Sequence, residues 1–286
     1  MKRQKRIAAI HDISCFGKCS LTVALPIISA AGIETSVIPT AVLSTHTGGF
    51  TGYTFRDLTE DIMPTAEHWK SLGLEFDAIY TGYVGSIEQL EILEGVFDLL
   101  RSDGTKIIVD PVMADNGVLY KNFSPEFPMN MKRLAQKADV LIPNITEAVF
   151  LLGKPYLEGP YTEGYIREIV EELAGFGAKQ IVLTGVYFDN DNIGTANYDT
   201  EKGSLSYTMA NRIEGYYHGT GDIFGSALCA ALIRGHTLQN SARIAVDLTV
   251  SSIACSKEAG TDIRFGVNFE ENLPDFINAV KSGNEL

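Results

Sequence analysis

The chain has 286 residues, with 23 Lys+Arg against 36 Asp+Glu and a formal net charge of −13. That balance excludes the basic face that a nucleic-acid or anionic-membrane surface needs, so neither is expected as a partner. With 21% charged and 45% hydrophobic residues the chain is not disordered, and no apolar run approaches the roughly 18 residues that span a bilayer.

The opening MKRQKRIAAIHDIS has basic residues ahead of an apolar stretch of only Ile7 to Ile10, too short for a signal peptide. It reads as a first buried strand, 6–10. Further candidate strands are 36–42, 78–80, 106–109, 139–142 and 180–183. Each is an unbroken Val/Ile/Leu-rich run, the pattern of strands covered on both faces. Between them lie helix candidates at 20–31, 56–72, 87–102, 130–137, 146–152 and 162–175, several closing on Gly (Gly32, Gly73, Gly104, Gly153, Gly177). This alternation predicts an α/β fold with a mainly parallel sheet and helices on both faces.

The rhythm changes after Gly185. Residues 186–217 are rich in Asn, Asp, Gly, Tyr and Thr, and predict antiparallel edge strands or a flap. Helices at 223–234 and 238–257, then an amphipathic one at 270–281, close the chain. No linker, repeat or low-complexity tract divides it, so one domain over 1–286 is expected. Cys15, Cys19, Cys229 and Cys255 lack an export signal, which predicts reduced thiols in a cytoplasmic protein. Cys15 and Cys19 have no second Cys/His pair, so no zinc site is expected.

In open parallel sheets, ligands sit outside the carboxyl ends of the strands. Here those ends carry His11-Asp12, Ser44-Thr45-His46-Thr47, Tyr83, Asp110, Asn144 and Thr184. The strongest local signal is His218-Gly219-Thr220-Gly221-Asp222 ahead of IFGSALCAALIRG. Two glycines let backbone N–H groups converge on an anion, with a helix dipole behind them. Asp222 is placed to take a proton from a hydroxyl nucleophile. An N-cap Asp on a Gly-rich turn explains Asp222 alone, but not a Gly-Thr-Gly turn before an almost wholly apolar helix. A dinucleotide fingerprint belongs after the first strand, which this stretch does not follow. Gly17-Lys18 is half a P-loop, with Asp12 and Cys19 in the wrong places.

Asn144 followed by Glu147 is a capping box, and that structural reading stands beside a functional one. Asp110, Asp115 and Glu147 near one anion nest repel an anion unless a cation intervenes. Hard oxygen donors favour Mg²⁺. The expectation is a Mg·nucleotide with its γ-phosphate aimed at residues 219–222, where transfer works by positioning and charge stabilisation.

The Gly219-Thr220-Gly221-Asp222 turn, with Ser226-Ala227 behind it, resembles the second signature of the ribokinase superfamily. Asn144-Ile145-Thr146-Glu147 is similar to its Asn-x-x-Glu magnesium motif. Ala9-Ile10-His11-Asp12 leading to Gly17, Ser44-Thr45-His46-Thr47-Gly48, Thr81-Gly82-Tyr83-Val84-Gly85-Ser86 and Asp110-Pro111-Val112-Met113 resemble the pyridoxal kinase branch. The likeness runs from about residue 7 to at least 258. It implies a ribokinase-like three-layer fold, ATP-dependent phosphorylation of the 5′-hydroxyl of a B6 vitamer, Mg²⁺, a monovalent cation (K⁺ or Na⁺) and a homodimer. Asp222 would then be the base, with Gly219, Thr220 and Gly221 as the anion hole. Asn144, Thr184 and Thr220 would touch the phosphates, and Asp115 and Tyr120 would border ATP. Asp110 and Glu147, with Asp115, would organise the cations. Thr47 and Tyr83 would hold the ring, with Asp12, Cys19 and His46 beside it. Two positions depart from the branch, Asp12 for Ser and Thr45 for Asn. A hydroxymethylpyrimidine kinase shares the catalytic motif and is the alternative. A non-catalytic nucleotide sensor is the reading of another class, and an intact Asp222 counts against it.

Overall fold

The computed structural model describes residues 3–282; residues 1–2 and 283–286 of the expected 1–286 domain lie outside them. Strand β1 (Arg6–Ser14) leads through α1 (Leu21–Ala30) to β2 (Glu34–Leu43), then β3 (Phe55–Asp57) and α2 (Thr59–Ser71). Next come β4 (Ala78–Thr81), α3 (Ile87–Leu100), β5 (Lys106–Val109) and a hairpin of β6 (Ala114–Asp115) and β7 (Val118–Leu119). The chain continues through α4 (Phe127–Ala135), β8 (Val140–Leu141), α5 (Ile145–Leu152), α6 (Glu163–Ala174) and β9 (Gln180–Val186). It finishes with β10 (Asn192–Asp199), β11 (Ser204–Asn211), α7 (Thr220–Arg234), α8 (Leu238–Ala259) and α9 (Leu273–Lys281).

Nine strands form one sheet in the order β11-β10-β9-β8-β5-β4-β1-β2-β3. The six from β9 to β2 pair in parallel, and antiparallel strands close both edges. Because side chains alternate across a pleated strand, each apolar run feeds two cores. Ile10, Ile79, Val109 and Leu141 pack with Phe97 and Phe127 under α2 to α6. Ile7, Tyr80, Ile108 and Val182 pack under α1, α7, α8 and α9 on the other face. Helix α7 lies so deep that every residue from Ile223 to Ile233 is buried, which is why its sequence shows no polar stripe.

The structure corrects several sequence expectations. Strand β1 extends to Ser14, so His11 and Asp12 lie inside it rather than at its end. The helix expected over 56–72 starts at Thr59, because residues 55–57 pair antiparallel with 41–43. Gly104 does not cap α3, which stops when Arg101 turns extended (φ −63°, ψ 133°). The β6–β7 hairpin is an element beyond the expected strands. It turns through Asn116 (φ 49°) and Gly117 (φ 76°), the Asn-Gly pair that favours a tight hairpin. Residues 192–211 are antiparallel edge strands with buried Thr195, Ala196 and Asn197, which leaves 187–191 and 212–217 of the expected segment outside the sheet. The four cysteines are free. No helix among the described residues is long and apolar enough to cross a membrane.

Candidate active site

The sheet carries its polar strand ends to the start of α7. Gly219 is the N-cap in the left-handed region, φ 78°. A Cβ there would lie 2.0 Å from the carbonyl oxygen of Lys18, so the turn packs too tightly for any other residue. Gly221, by contrast, is exposed, and a Cβ at that position would meet nothing within 4 Å. The first amides of a helix have no intrahelical acceptor, and Gly221 leaves that end of α7 open. The Thr220 hydroxyl donates to the Tyr217 carbonyl at 3.2 Å, which leaves its lone pairs free to accept.

Asp222 follows in the first turn of α7. Burial raises its pKa to about 7, the charge of Asp12 adds to this, and the Ser20 amide offsets part of it. Folding thus favours the protonated form. This group's contribution to stability is complete below the unfolded value of 3.8, erodes between the two values and is gone once pH passes about 7. In the protein without ligands, the Tm gap between Asp222→Asn and wild type should widen between pH 5 and pH 8 in favour of the variant. A gap independent of pH, read by thermal denaturation at both values, would contradict the shift.

The Asn144–Glu147 segment forms the capping box in full. The Asn144 amide donates to Glu147 Oε2 at 2.8 Å, and the Glu147 amide donates to Asn144 Oδ1 at 2.9 Å. The second Glu147 oxygen accepts from the Met113 amide at 3.1 Å, and Asn144 Nδ2 donates to the Ala114 carbonyl at 2.8 Å. The box therefore clamps the 110–119 loop to α5. Asn144 also bridges in parallel to Thr184, which sets both at one sheet edge. The structural reading of the motif holds, and the same clamp brings its carboxylate within electrostatic reach of Asp110.

Asp110 is buried, and its pKa is raised by burial and then by the charges of Glu147 and Asp222, with no side-chain hydrogen bond among the described residues to offset them. Burial pushes Glu147 up to about 8 despite its backbone donors. Asp115 is raised too, and its Oδ2 accepts from the Tyr216 hydroxyl at 3.3 Å. Tyr120 borders the same charges: burial, Glu147 and Asp115 push its phenol upward. Among the described residues no group of three or more His, Cys, Asp or Glu stands ready to hold a metal by protein ligands alone. Two carboxylates, one of them without a hydrogen bond, suit Mg²⁺ held mostly through water and phosphate oxygens.

On the other side of Asp222, Asp12 is buried and accepts from Ser20 Oγ at 2.5 Å and Ser14 Oγ at 3.0 Å. Burial nevertheless raises its pKa. Its charge acts on Cys19, His46, Tyr83 and Asp222, so these groups lie within electrostatic reach of one carboxylate. Burial, then Asp222 and Asp12, push the Cys19 thiol well up, so it stays neutral. His46 Nδ1 accepts from the Gly48 amide at 3.1 Å, which assigns the proton to Nε2, 2.6 Å from the Arg264 carbonyl. Burial lowers its pKa, so the ring is a neutral wall. Tyr83 packs on Phe123 with ring centroids 5.6 Å apart. Thr47 is exposed beside His46 and is not drawn into this group, whereas the Thr45 hydroxyl is buried without a partner.

Ser14, Ser20 and Tyr216 join the site without having been expected there, and His218, which opens the Gly219–Asp222 signal, joins it without an expected role. The His218 ring lies 5.1 Å from His46 and 5.0 Å from Tyr216, so residues 216–218 span from Asp115 to the Asp12 pocket. In the sequence, only the aromatic Tyr-Tyr-His run just before the glycines hints at this.

The chain matches the phosphomethylpyrimidine kinase family over residues 25–266. A Bacteroides thetaiotaomicron protein crystallised with pyridoxal is 34% identical, with a TM-score of 0.91 over 96% of each chain. Pyridoxal kinase from Lactobacillus plantarum is 31% identical, with a TM-score of 0.89 over 99% of this chain and 100% of that one. Pyridoxal kinase of Dictyostelium discoideum is 26% identical over 82% of this chain and 80% of its own. Family match and shared fold agree with the arrangement of sheet edge and helix start: the chain belongs to the phosphomethylpyrimidine kinase family and has the ribokinase-like fold of the pyridoxal kinases.

Proposed function

We propose that the protein transfers the γ-phosphoryl group of ATP to the 5′-hydroxyl of pyridoxal, and of pyridoxine and pyridoxamine. The observation that carries this reading is the placement of Asp222: it opens α7 beside exposed Gly221, between the Asp12 pocket and the Asp110–Glu147 edge. The Bacteroides neighbour that holds pyridoxal supports a pyridine ring as the acceptor.

In this reading the ring lies against Tyr83 and His46, with Asp12 and Cys19 around it. Asp222, when ionised, takes the proton of the acceptor hydroxyl as its oxygen attacks the γ-phosphorus. A carboxylate with a pKa near 7 is matched to that task at neutral pH. The amides of Gly219, Thr220 and Gly221 face the charge that develops on the phosphoryl oxygens. Asn144, Thr184 and the Thr220 hydroxyl orient the phosphates, and Asp115 and Tyr120 border the nucleotide. Asp110 and Glu147 would hold Mg²⁺, with a monovalent cation nearby, supplying the positive charge that an acidic chain lacks. The protein works as a cytoplasmic homodimer.

Incubation with ATP, Mg²⁺ and pyridoxal should give ADP and pyridoxal 5′-phosphate, identified by mass spectrometry. ATP hydrolysis without a phosphorylated vitamer contradicts the reading. The family description favours a pyrimidine as second acceptor, so hydroxymethylpyrimidine belongs in the same assay. Asp12→Ser should reorder kcat/KM among pyridoxal, pyridoxine and hydroxymethylpyrimidine, because an acceptor-only carboxylate becomes a hydroxyl that also donates. An unchanged order would remove Asp12 from the ring pocket.

A further inference from the structure

The Ser20 side chain has no assigned step in phosphoryl transfer, yet Ser20 reaches both Asp12, through its hydroxyl, and Asp222, through its amide. It precedes α1 with φ 56° and ψ −130°. Among the described residues only Ser20 and Asn116 have positive φ without being glycine, and this conformation is costly for an L side chain. A serine at this position ordinarily accepts a hydrogen bond from an early helix amide. Ser20 makes no such bond.

Instead its hydroxyl donates to Asp12 Oδ1 at 2.5 Å. Its carbonyl accepts from the amides of Val23 and Ala24 at 3.0 and 2.9 Å, and its amide faces the Asp222 carboxylate. A glycine would take this backbone without strain and keep both main-chain contacts. The hydroxyl is the one feature that only the serine supplies. With Ser14 on its other oxygen, each Asp12 oxygen is fixed by one hydroxyl donor, and the roughly four lone-pair sites of the carboxylate are not all used by these and its own amide. Its own backbone amide and the nearby His46 act on it as well.

We propose that Ser20 is a positioning residue that holds Asp12 as an oriented carboxylate, ready to accept from a protonated nitrogen of the acceptor ring or its side arm. The strained backbone persists because the hydroxyl it delivers fixes the group that recognises the acceptor. This inference rests on the kinase reading above and deepens it: the preferred acceptor is cationic at the Asp12 end.

The test is steady-state kinetics of wild type, Ser20→Gly and Ser20→Ala, each alone and combined with Asp12→Ser. The acceptor used is whichever one wild type phosphorylates best. The identity of that acceptor tests the kinase reading, and the ratio of KM values tests Ser20. Both single variants should raise acceptor KM about tenfold, the loss of one charge-assisted hydrogen bond, with kcat and the KM for ATP within about twofold of wild type. Ser20→Gly should melt no lower than wild type, which separates the effect from misfolding. In the Asp12→Ser background neither substitution should add a further loss, as for two residues acting through one contact. Unchanged acceptor KM in Ser20→Gly, or an equal loss with and without Asp12, would overturn the proposal.

Discussion

Asp222→Ala should lower kcat by about a thousandfold or more, in the range of removing a general base, while ATP binds with the affinity of wild type. The two effects separate because of where the carboxylate stands. It shares electrostatic reach with Asp12, on the proposed acceptor side, and Asp110, on the proposed phosphate side, yet the amides proposed to face the phosphates belong to the backbone and survive the substitution. Removing a negative charge beside bound phosphate costs no nucleotide affinity. Single-turnover phosphate transfer together with calorimetric titration of ATP separates these outcomes. A variant that turns over near the wild-type rate would remove Asp222 as the base, and one that no longer binds ATP would make it a nucleotide ligand.

Gly219→Ala should remove activity by another route and cost stability as well, of the order of 1–3 kcal/mol for a side chain forced into a left-handed conformation. The added methyl would sit 2.0 Å from the Lys18 carbonyl oxygen and 3.4 Å from Cys19 Sγ. The Lys18–Cys19 backbone or the start of α7 must therefore shift, and either movement pulls the amides of 220 and 221 out of register. Gly221→Ala is the control. It meets nothing within 4 Å and has no positive φ, so it should melt with wild type. Thermal denaturation of both variants reads the difference, and equal melting temperatures would show that the tight turn is not what shapes the nest.

Much of this is legible in the sequence because burial leaves a strong imprint. Apolar runs such as 107–109 announce strands covered on both faces, and the greasy stretch after Asp222 announces a helix sunk in the core. The sheet-edge rule draws Asp110, Asn144 and Thr184 to one line, and the structure places them there. What stays hidden depends on long-range pairing or on single dihedral angles. The three residues of β3 are exposed and become a strand only by pairing with β2. The hairpin at 114–119 is held by side chains of α5, with Thr146 Oγ1 accepting from the Gly117 amide at 3.0 Å. Ser20 falls at the start of the helix candidate 20–31, and nothing in its neighbours reveals a positive φ.

The most direct measurement is ADP release by wild type with ATP and Mg²⁺, run side by side on pyridoxal, pyridoxine, pyridoxamine and hydroxymethylpyrimidine. Release should be coupled one-to-one to phosphorylation of the vitamers, with higher kcat/KM for at least one of them than for hydroxymethylpyrimidine. Phosphorylation of hydroxymethylpyrimidine alone, or of none of the four, would contradict a B6-vitamer kinase built around Asp222.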